Sequence, residues 1–460
     1  MEGEGTNRGL MKLNAYLVKS TAVAALGGLL FGFDTAVISG TTRELTATYL
    51  LTPTSLGLTV SIALWGTVIG AMTAGFLGDR WGRRDSLRMM AVLYLVSSLG
   101  CAFAWGWYPL VVFRFFGGLG IGGSSVLGPM YIAEIAPAKW RGRLVGSFQI
   151  NIVVGILLAY FSNYVVGLAG FGAAEWRWKF GVPALPAALF LLLLLAIARS
   201  PRWLVKMRRI DEARDVLRMT GDDNFEQNLQ EIVRSIDLEH AAQDHLFNWS
   251  WARGSLNLKY LFPMLLAVSI GMFNQLSGIN AILYYLNDIF AKAGFSKVSS
   301  DLQAVAIGAT NLVFTLLAMS VIDKLGRKTL LLIGSVGTAL SLAGVAAIFF
   351  SSAHQGALVW FLVGFIGSFA FSQGAVIWVY IGEVFPNQVR AKGQSLGSFS
   401  HWFMNALISG VYPLIAASSG AYPFVFFAIM MAVQFFVVLY VYPETKGVTL
   451  EEMQRQMGLA

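Results

Sequence analysis

Runs of about 20 apolar residues recur along the whole 460-residue chain and constrain its fold more than any other feature. A helix needs a run of that length to cross the hydrocarbon core of a bilayer. Only 13% of the residues are charged, which is about half the share in a typical soluble domain. The ten-residue alternating segments that build a β-barrel are absent from the sequence. The sequence therefore predicts an all-α polytopic membrane protein.

Polar stretches divide the apolar runs into about twelve spans, six before residue 199 and six after residue 258. The long polar segment between them carries apolar residues at helical spacing, such as Ala213, Val216 and Leu217, which predicts short amphipathic helices. The predicted divisions are an N-terminal six-helix bundle at 1–198, cytoplasmic linker helices at 199–257, a C-terminal six-helix bundle at 258–443 and a cytoplasmic tail at 444–460.

The formal net charge of +8 could suggest a nucleic-acid partner in a soluble protein. Here Lys and Arg concentrate in a few short loops that alternate with loops poor in them, as the positive-inside rule predicts. We therefore expect the basic loops and both termini in the cytoplasm, with no nucleic-acid partner. The polar leader 1–20 does not resemble a cleavable signal peptide, and a single cysteine, Cys101, excludes an intramolecular disulfide.

Two sequence motifs occur twice, in the same order, which indicates an internal duplication. "GDRWGRRD" at 78–85 recurs as "IDKLGRKT" at 322–329, and "EIAPAKWRGR" at 134–143 recurs as "EVFPNQVRAK" at 383–392. Internal repeats of this kind are typical of transporter folds. A membrane enzyme or a receptor would not need two matched cytoplasmic faces.

The repeated loops combine acids and bases at fixed spacing, which predicts ion pairs that close the cytoplasmic side and break when it opens. The alternative is that these residues only set the membrane topology. The predicted latch comprises Asp79, Arg80, Arg83, Arg84, Glu134, Arg141, Asp323, Arg327, Glu383 and Arg390.

Taken together, the motifs resemble a known family. "GFLGDRWGRR" resembles the loop signature of the major facilitator superfamily. The ordered set "PMYIAEIAPAKWRG", "SPRWL", "NQLSGINAILYY", "DKLGRKTLL", "WVYIGEVFPNQVR" and "YPETKG" is similar to its sugar porter family. The resemblance extends from Asp34 to Gly447. It implies the major facilitator superfamily fold, with 12 transmembrane helices in two six-helix bundles around a central cavity that opens alternately to either side.

Polar side chains within the spans support a sugar site independently of the resemblance. Unpaired polar groups are costly in hydrocarbon, so they should face a cavity or one another. Gln275 and Asn280 are amides, which can both donate to and accept from a hydroxyl. Gly271 and Gly278 would allow a break in the helix between them, and Trp378 could supply an aromatic surface for a sugar ring.

The resemblance implies roles for particular side chains, and the alternative for each is an interhelical hydrogen bond or plain packing. Tyr284 and Tyr285 match the pair that forms the outer gate. The implied sugar contacts are Phe31, Gln149, Asn274, Gln275, Asn280, Asn311, Gly374, Trp378, His401, Trp402 and Asn405.

The chain departs from the family pattern at three positions. Asn274 stands where many members have Gln, and His401 stands where they have Gln or Asn. His401 could contact a sugar hydroxyl, or it could change its protonation near neutral pH. Arg199 stands where Glu is common, which weakens one member of the latch. The sugar is therefore left open among hexoses, pentoses and cyclic polyols.

Asp34 lies near the middle of an otherwise uncharged segment, Ala22 to Ile38. A charge at a helix centre costs about 2.5 to 3.5 kcal/mol on insertion scales. Arg114 in the fourth span is a natural counter-ion, and proton-coupled members of the family have Asp at the position of Asp34. We predict that the pair couples proton movement to transport. The alternative is a static buried ion pair.

The sequence thus predicts a proton-coupled monosaccharide symporter. The alternative transporter is a facilitative uniporter, and the alternative from a different functional class is a sugar sensor. We expect no enzymatic activity, no metal and no cofactor, since the sequence shows no phosphate loop, metal-ligand spacing or activated nucleophile. The expected partners are a monosaccharide, a proton and the lipid bilayer. We expect a monomer in the cytoplasmic (inner) membrane.

Overall fold

The computed structural model describes residues 14–221, 224–246, 260–385 and 389–448, together with 452 and 455. Within these residues the regular secondary structure is entirely helical. Most of the predicted leader, part of the predicted linker and most of the predicted tail lie outside the described residues.

The N-terminal half forms six membrane-spanning segments. Thr52 caps the second of them, accepting a hydrogen bond from Ser55 N, and Pro53 occupies the first helical turn, where a missing N–H costs nothing. The last span consists of two helices joined at Val182–Pro183. The helices are α1 (Ala15–Val37), α2 (Thr42–Tyr49), α3 (Pro53–Trp81), α4 (Arg83–Ala102), α5 (Trp107–Ile135), α6 (Ala138–Leu168), α7 (Glu175–Gly181) and α8 (Ala184–Leu193).

In its described part, the segment between the halves contains three helices, α9 (Pro201–Lys206), α10 (Ile210–Met219) and α11 (Phe225–Leu246). The apolar residues that predicted amphipathic helices are buried between them. This small core comprises Trp203, Leu204, Val205, Ala213, Val216, Leu217, Leu229 and Ile236.

The C-terminal half also forms six spans, and two of them are broken. Helices α12 (Leu261–Leu276), α13 (Ile279–Tyr284) and α14 (Leu286–Lys292) make the first span, and α17 (Leu358–Phe371) and α18 (Gln373–Glu383) make the fourth. The unbroken spans are α15 (Lys297–Leu325), α16 (Arg327–Ser351), α19 (Arg390–Ser418) and α20 (Tyr422–Tyr440).

Ten helical segments of the described chain are long and apolar enough to cross a membrane. The other two spans are α4, whose first turn contains Arg83, Arg84 and Asp85, and α19, which carries polar side chains along its length. Both pack among the apolar spans, α4 on α5 and α19 on α3 and α12. The total matches the predicted twelve.

The predicted helix break lies at Gly278, which has φ +80°. A Cβ atom there would come within 2.3 Å of the Phe427 ring, so the position requires glycine for both its backbone conformation and its space. Gly271 has a different role. It lies inside α12, where a Cβ would be 2.8 Å from the carbonyl oxygen of Gly397 on α19, so it allows close helix packing.

The halves share one apolar core near one face of the molecule and have separate cores near the other. We call the face that carries the loops at Gly82 and Gly326 and the helices α9–α11 the basic face. Near the opposite face, a single apolar core contains residues of both halves, including Tyr160 and Tyr284. Near the basic face, each half has its own core. The apolar core that joins the halves therefore lies near the face opposite the basic face.

Candidate functional site

Asp34 and Arg114 face one another inside the N-terminal half. Asp34 lies on α1 and Arg114 on α5, and Arg114 Nη1 is 3.4 Å from Asp34 Oδ1. The arginine side chain is 3% exposed and the aspartate 18%, so the pair is buried with the carboxylate on the more open side. Arg114 Cζ also lies 5.5 Å from the centre of the Phe180 ring. The structure therefore brings together the two residues that the sequence predicted as a pair.

A small cavity connects this ion pair to the opposite half. Asp34 and Arg114 line it on one side, and Tyr284 and Trp402 line it on the other. Phe31, one helical turn from Asp34, also lines the cavity and contacts Trp402 with ring centres 5.4 Å apart. A change of charge at Asp34 thus occurs next to residues predicted for the sugar site and the outer gate.

Three of the predicted amides of the C-terminal half form a continuous hydrogen-bonded chain across the break at Gly278. Asn280 Nδ2 donates to Gln275 Oε1 at 3.1 Å. Gln275 Nε2 in turn donates to Asn274 Oδ1 at 3.0 Å and lies 3.3 Å from both ring nitrogens of His401. The broken helix and α19 thereby bring four predicted sugar contacts together.

Aromatic rings surround His401. Its ring centre is 5.1 Å from that of Trp378 and 5.0 Å from that of Trp402. Trp402 is buried, whereas Trp378 is 38% exposed, although it lies within a span. Trp378 therefore keeps an accessible aromatic surface beside the amide chain, as a sugar ring would require.

Three further predicted sugar contacts lie outside this hydrogen-bonded chain. Gln149 on α6 is half-buried and Asn311 on α15 is buried, and neither side chain has a hydrogen-bond partner within the described residues. Both amides are therefore free to bind a ligand. Gly374 follows Gln373, whose carbonyl oxygen accepts a hydrogen bond from Asn274 Nδ2 at 3.5 Å. It lies just after the break between α17 and α18.

Asn405 contacts the predicted gate in this structure. Its Nδ2 donates to Tyr284 Oη at 3.2 Å, and its Oδ1 accepts from Ser409 Oγ at 3.1 Å. Tyr285 Oη donates to the carbonyl oxygen of Ser409 at 2.9 Å. Both tyrosines are buried. Sequence reasoning placed Asn405 among the sugar contacts and did not connect it with the gate.

The ion pairs on the basic face repeat in the two halves. In the N-terminal half, Arg83 Nη2 is 2.9 Å from Glu134 Oε1, and Arg83 Nη1 is 2.9 Å from Asp79 Oδ1. Glu134 also accepts a hydrogen bond from Ser200. These contacts attach the first residues of the linker to the ends of α3 and α5.

The C-terminal half repeats this pattern. Arg327 Nη2 is 2.9 Å from Glu383 Oε1 and 3.1 Å from Asp323 Oδ1. Thr445 Oγ1 donates to Glu383 Oε2 at 2.5 Å, in the position that Ser200 has in the other half. The hydroxyls of "SPRWL" and "YPETKG" are partners that sequence reasoning missed, although both motifs belong to the set that carried the resemblance.

Each of these pairs lies within one half, and the described residues show no ion pair between the halves on the basic face. Arg84 pairs with Asp85 at 3.0 Å, and Arg390 Nε donates to the carbonyl oxygen of Phe385 at 3.4 Å. Arg80 and Arg141 are exposed. Arg199, the departure from the family pattern, pairs with Asp85 at 2.9 Å.

Comparison with known proteins supports the family predicted from the motifs. Residues 20–457 match the family model described as "Sugar (and other) transporter". The D-xylose-proton symporter of Escherichia coli (strain K12) is 34% identical, over 96% of each chain. The arabinose-proton symporter of Bacillus subtilis (strain 168) is also 34% identical, over 96% of this chain and 95% of that protein.

Solved structures agree with these relatives. The inward open conformation of the xylose transporter XylE from E. coli matches with a TM-score of 0.83 at 33% identity, covering 96% of this chain and 100% of that one. XylE bound to 6-bromo-6-deoxy-D-glucose matches with a TM-score of 0.78 at 34% identity, covering 96% and 99%. The fold and the relatives together define a multi-pass membrane transporter. The chain belongs to the sugar porter family of the major facilitator superfamily, which confirms the predicted fold class and family.

Proposed function

We propose that this chain, a proton-coupled monosaccharide symporter, carries its proton on Asp34 and binds its sugar between the Gln275 amide chain and Trp378. The observation that carries the proposal is the cavity that Asp34 and Arg114 share with Phe31, Tyr284 and Trp402. A buried carboxylate in a span is costly unless it is paired or protonated. Its two states therefore differ in how they hold the neighbouring helices.

The proton step follows from the geometry of the pair. Ionised Asp34 attracts Arg114 across 3.4 Å and holds α1 against α5. Protonation removes the negative charge and with it the attraction. Arg114 then retains the face of Phe180, a weaker partner. We infer that the protonated form permits the loaded carrier to turn inward and that deprotonation follows release on the inner side.

The sugar step uses groups that can exchange one hydrogen-bond partner for another. Gln275 contacts both Asn280 and His401, so sugar hydroxyls would replace protein contacts of similar strength. Trp378 would stack against the C–H face of the ring. Xylose and arabinose, named for two relatives, are the first sugars to test, followed by hexoses and cyclic polyols.

Several further properties belong to the same proposal. The basic face is the cytoplasmic face of the inner membrane, and both termini lie on that side. The protein acts as a monomer without enzymatic activity and does not bind nucleic acid. Its functional divisions are the bundles 1–198 and 258–443, the linker 199–257 and the tail 444–460.

The ion pairs of the basic face would act as the latch when the halves meet there. In this arrangement the acids are already held by arginines of their own half, which positions the loops. Arg80 and Arg141, exposed here, are the residues that could reach across when the basic face closes.

Uphill transport tests this proposal. The protein is reconstituted in liposomes, its sugar is identified by counterflow, and an inward proton gradient is applied to the wild type and to Asp34→Asn. One pH unit supplies ~1.4 kcal/mol per proton and 100 mV supplies ~2.3 kcal/mol, which together permit roughly 500-fold accumulation. We expect accumulation by the wild type and exchange without accumulation by Asp34→Asn. Purely downhill uptake by both would make the protein a uniporter.

A further inference from the structure

Lys297 connects the two halves on the face opposite the basic loops. It is the first residue of α15, in the C-terminal half. Its Nζ lies 2.7 Å from Glu44 Oε1 on α2 and 2.6 Å from Glu175 Oε2 on α7, both in the N-terminal half. We call Lys297, Glu44, Glu175 and Lys179 the outer cluster.

The two contacts of Lys297 are the ion pairs that join the halves in the described part of the chain. The remaining pairs there lie within one half, within the linker, between the linker and the N-terminal half, or within the tail. An ion pair between the halves must break when they separate at that face. The outer cluster is therefore placed to affect the conformational equilibrium.

The acids of the outer cluster are shielded from water. The Glu175 side chain is 4% exposed and that of Glu44 is 17% exposed, whereas Lys297 is 42% exposed. Partial burial reduces the screening of these charges by salt. Because Lys297 is the most exposed of the three side chains, water can hydrate it easily when it moves away from the two glutamates. Separation of the halves at this face therefore costs the energy of these two ion pairs, but it does not leave a buried cation without a partner.

Glu175 has a second partner that does not depend on the other half. Lys179, which is fully buried, places Nζ 2.6 Å from Glu175 Oε1 and 2.7 Å from the carbonyl oxygen of Gly40. When Lys297 withdraws, Glu175 keeps this cation from its own helix. Removing one partner of a buried pair is normally very costly, and Lys179 avoids that cost. The arrangement suits a contact that forms and breaks in every cycle.

We call the face opposite the basic face the outer face. From this geometry we propose that Lys297 is a positioning residue of the transport cycle. It holds the outer face closed through Glu44 and Glu175 and is released when that face opens. The side chain acts through these two carboxylates and does not contact the sugar. Asp301 lies beside the outer cluster and accepts a hydrogen bond from Asn287 within the C-terminal half. It also interacts electrostatically with Lys179 and Lys297, but it forms no ion pair with the N-terminal half among the described residues. The proposal rests on alternating access and not on the identity of the sugar.

The test measures the distance between the halves directly. Spin labels are attached at Tyr108→Cys in the N-terminal half and Gly356→Cys in the C-terminal half, with Cys101 replaced by Ala. Tyr108 is 77% exposed, and a side chain at Gly356 meets no other atom within 4 Å. Pulsed dipolar spectroscopy then gives the distribution of distances across the outer face, with neither sugar nor a proton gradient present.

We expect Lys297→Met to raise the ratio of the outward-open to the closed population about tenfold, which corresponds to ~1.4 kcal/mol. Lys297→Arg, which retains the charge, should restore most of the wild-type distribution. Lys292→Met is the matched control, because Lys292 Nζ donates to the carbonyl oxygen of Ala416 in its own half. It should leave the distribution unchanged.

Two results would overturn the proposal. One is an unchanged distance distribution in Lys297→Met. The other is an equal shift in Lys292→Met, which would indicate a general effect of removing an outer lysine. The distance measurement does not require transport. The role of Lys297 can therefore be refuted while proton-coupled transport is confirmed, and proton-coupled transport can be refuted while the role of Lys297 is confirmed.

Discussion

Replacing Gly278 with Ala tests whether the break between α12 and α13 organises the site. An L-residue in the left-handed region costs about 1 kcal/mol, and φ at Gly278 is +80°. The new Cβ would also lie 2.3 Å from Cδ2 of Phe427, a ring that is buried and has little freedom to move. Overpacking of this kind costs about 1 to 3 kcal/mol. The expected total is therefore about 2 to 4 kcal/mol.

The assay is thermal unfolding in detergent, followed by sugar counterflow in liposomes. Gly172→Ala is the control for backbone strain, because Gly172 has φ +57° and open space around it. Its free energy of unfolding should fall only by the backbone strain, about 1 kcal/mol. Phe427→Leu should recover part of the stability lost in Gly278→Ala. If the two glycine variants unfold alike, or if Phe427→Leu brings no recovery, the steric reasoning is wrong.

Further expected outcomes concern the ion pairs and the sugar site. Glu134→Gln should destabilise the protein by about 2 kcal/mol, because buried Arg83 loses its buried carboxylate partner and keeps only Asp79 as a charged partner, whereas Asp79→Asn, at a half-exposed carboxylate, should cost less than ~1 kcal/mol in the same unfolding assay. Trp378→Ala should raise the apparent KM for sugar about tenfold through lost stacking, with Trp378→Phe near the wild type. His401→Gln should retain transport and change the order of preferred sugars in competition assays, and an unchanged order would remove His401 from the sugar contacts.

The sequence was sufficient to predict the fold, because apolar runs and repeated motifs carry that information locally. It also predicted the Asp34–Arg114 pair, since a charge inside a span requires a partner and few are available. A helix break between Gly271 and Gly278 was predicted from the polar residues around them. The predicted break was placed less well, because Gly271 and Gly278 look alike in sequence. Only the structure shows that Gly278 changes the direction of the chain and that Gly271 allows α19 to pack closely.

The contacts that could not be predicted are those between distant parts of the chain. Lys297 reads as an ordinary lysine at a helix start, and its partners Glu44 and Glu175 lie far away in sequence. The bond between Asn405 and Tyr284 likewise joins residues that are 121 positions apart in the chain. In the proposed cycle the halves move relative to one another, so one sequence would specify several sets of contacts without saying which set forms in a given state.

The central claim is that Asp34 carries the proton that accompanies the sugar. The most direct test is the number of protons that enter per sugar in proteoliposomes, recorded with an internal pH indicator while an inward sugar gradient drives transport. We predict about one proton per sugar for the wild type, and sugar entry without acidification for Asp34→Asn. Sugar entry without acidification in the wild type, or equal acidification in both proteins, would contradict the claim.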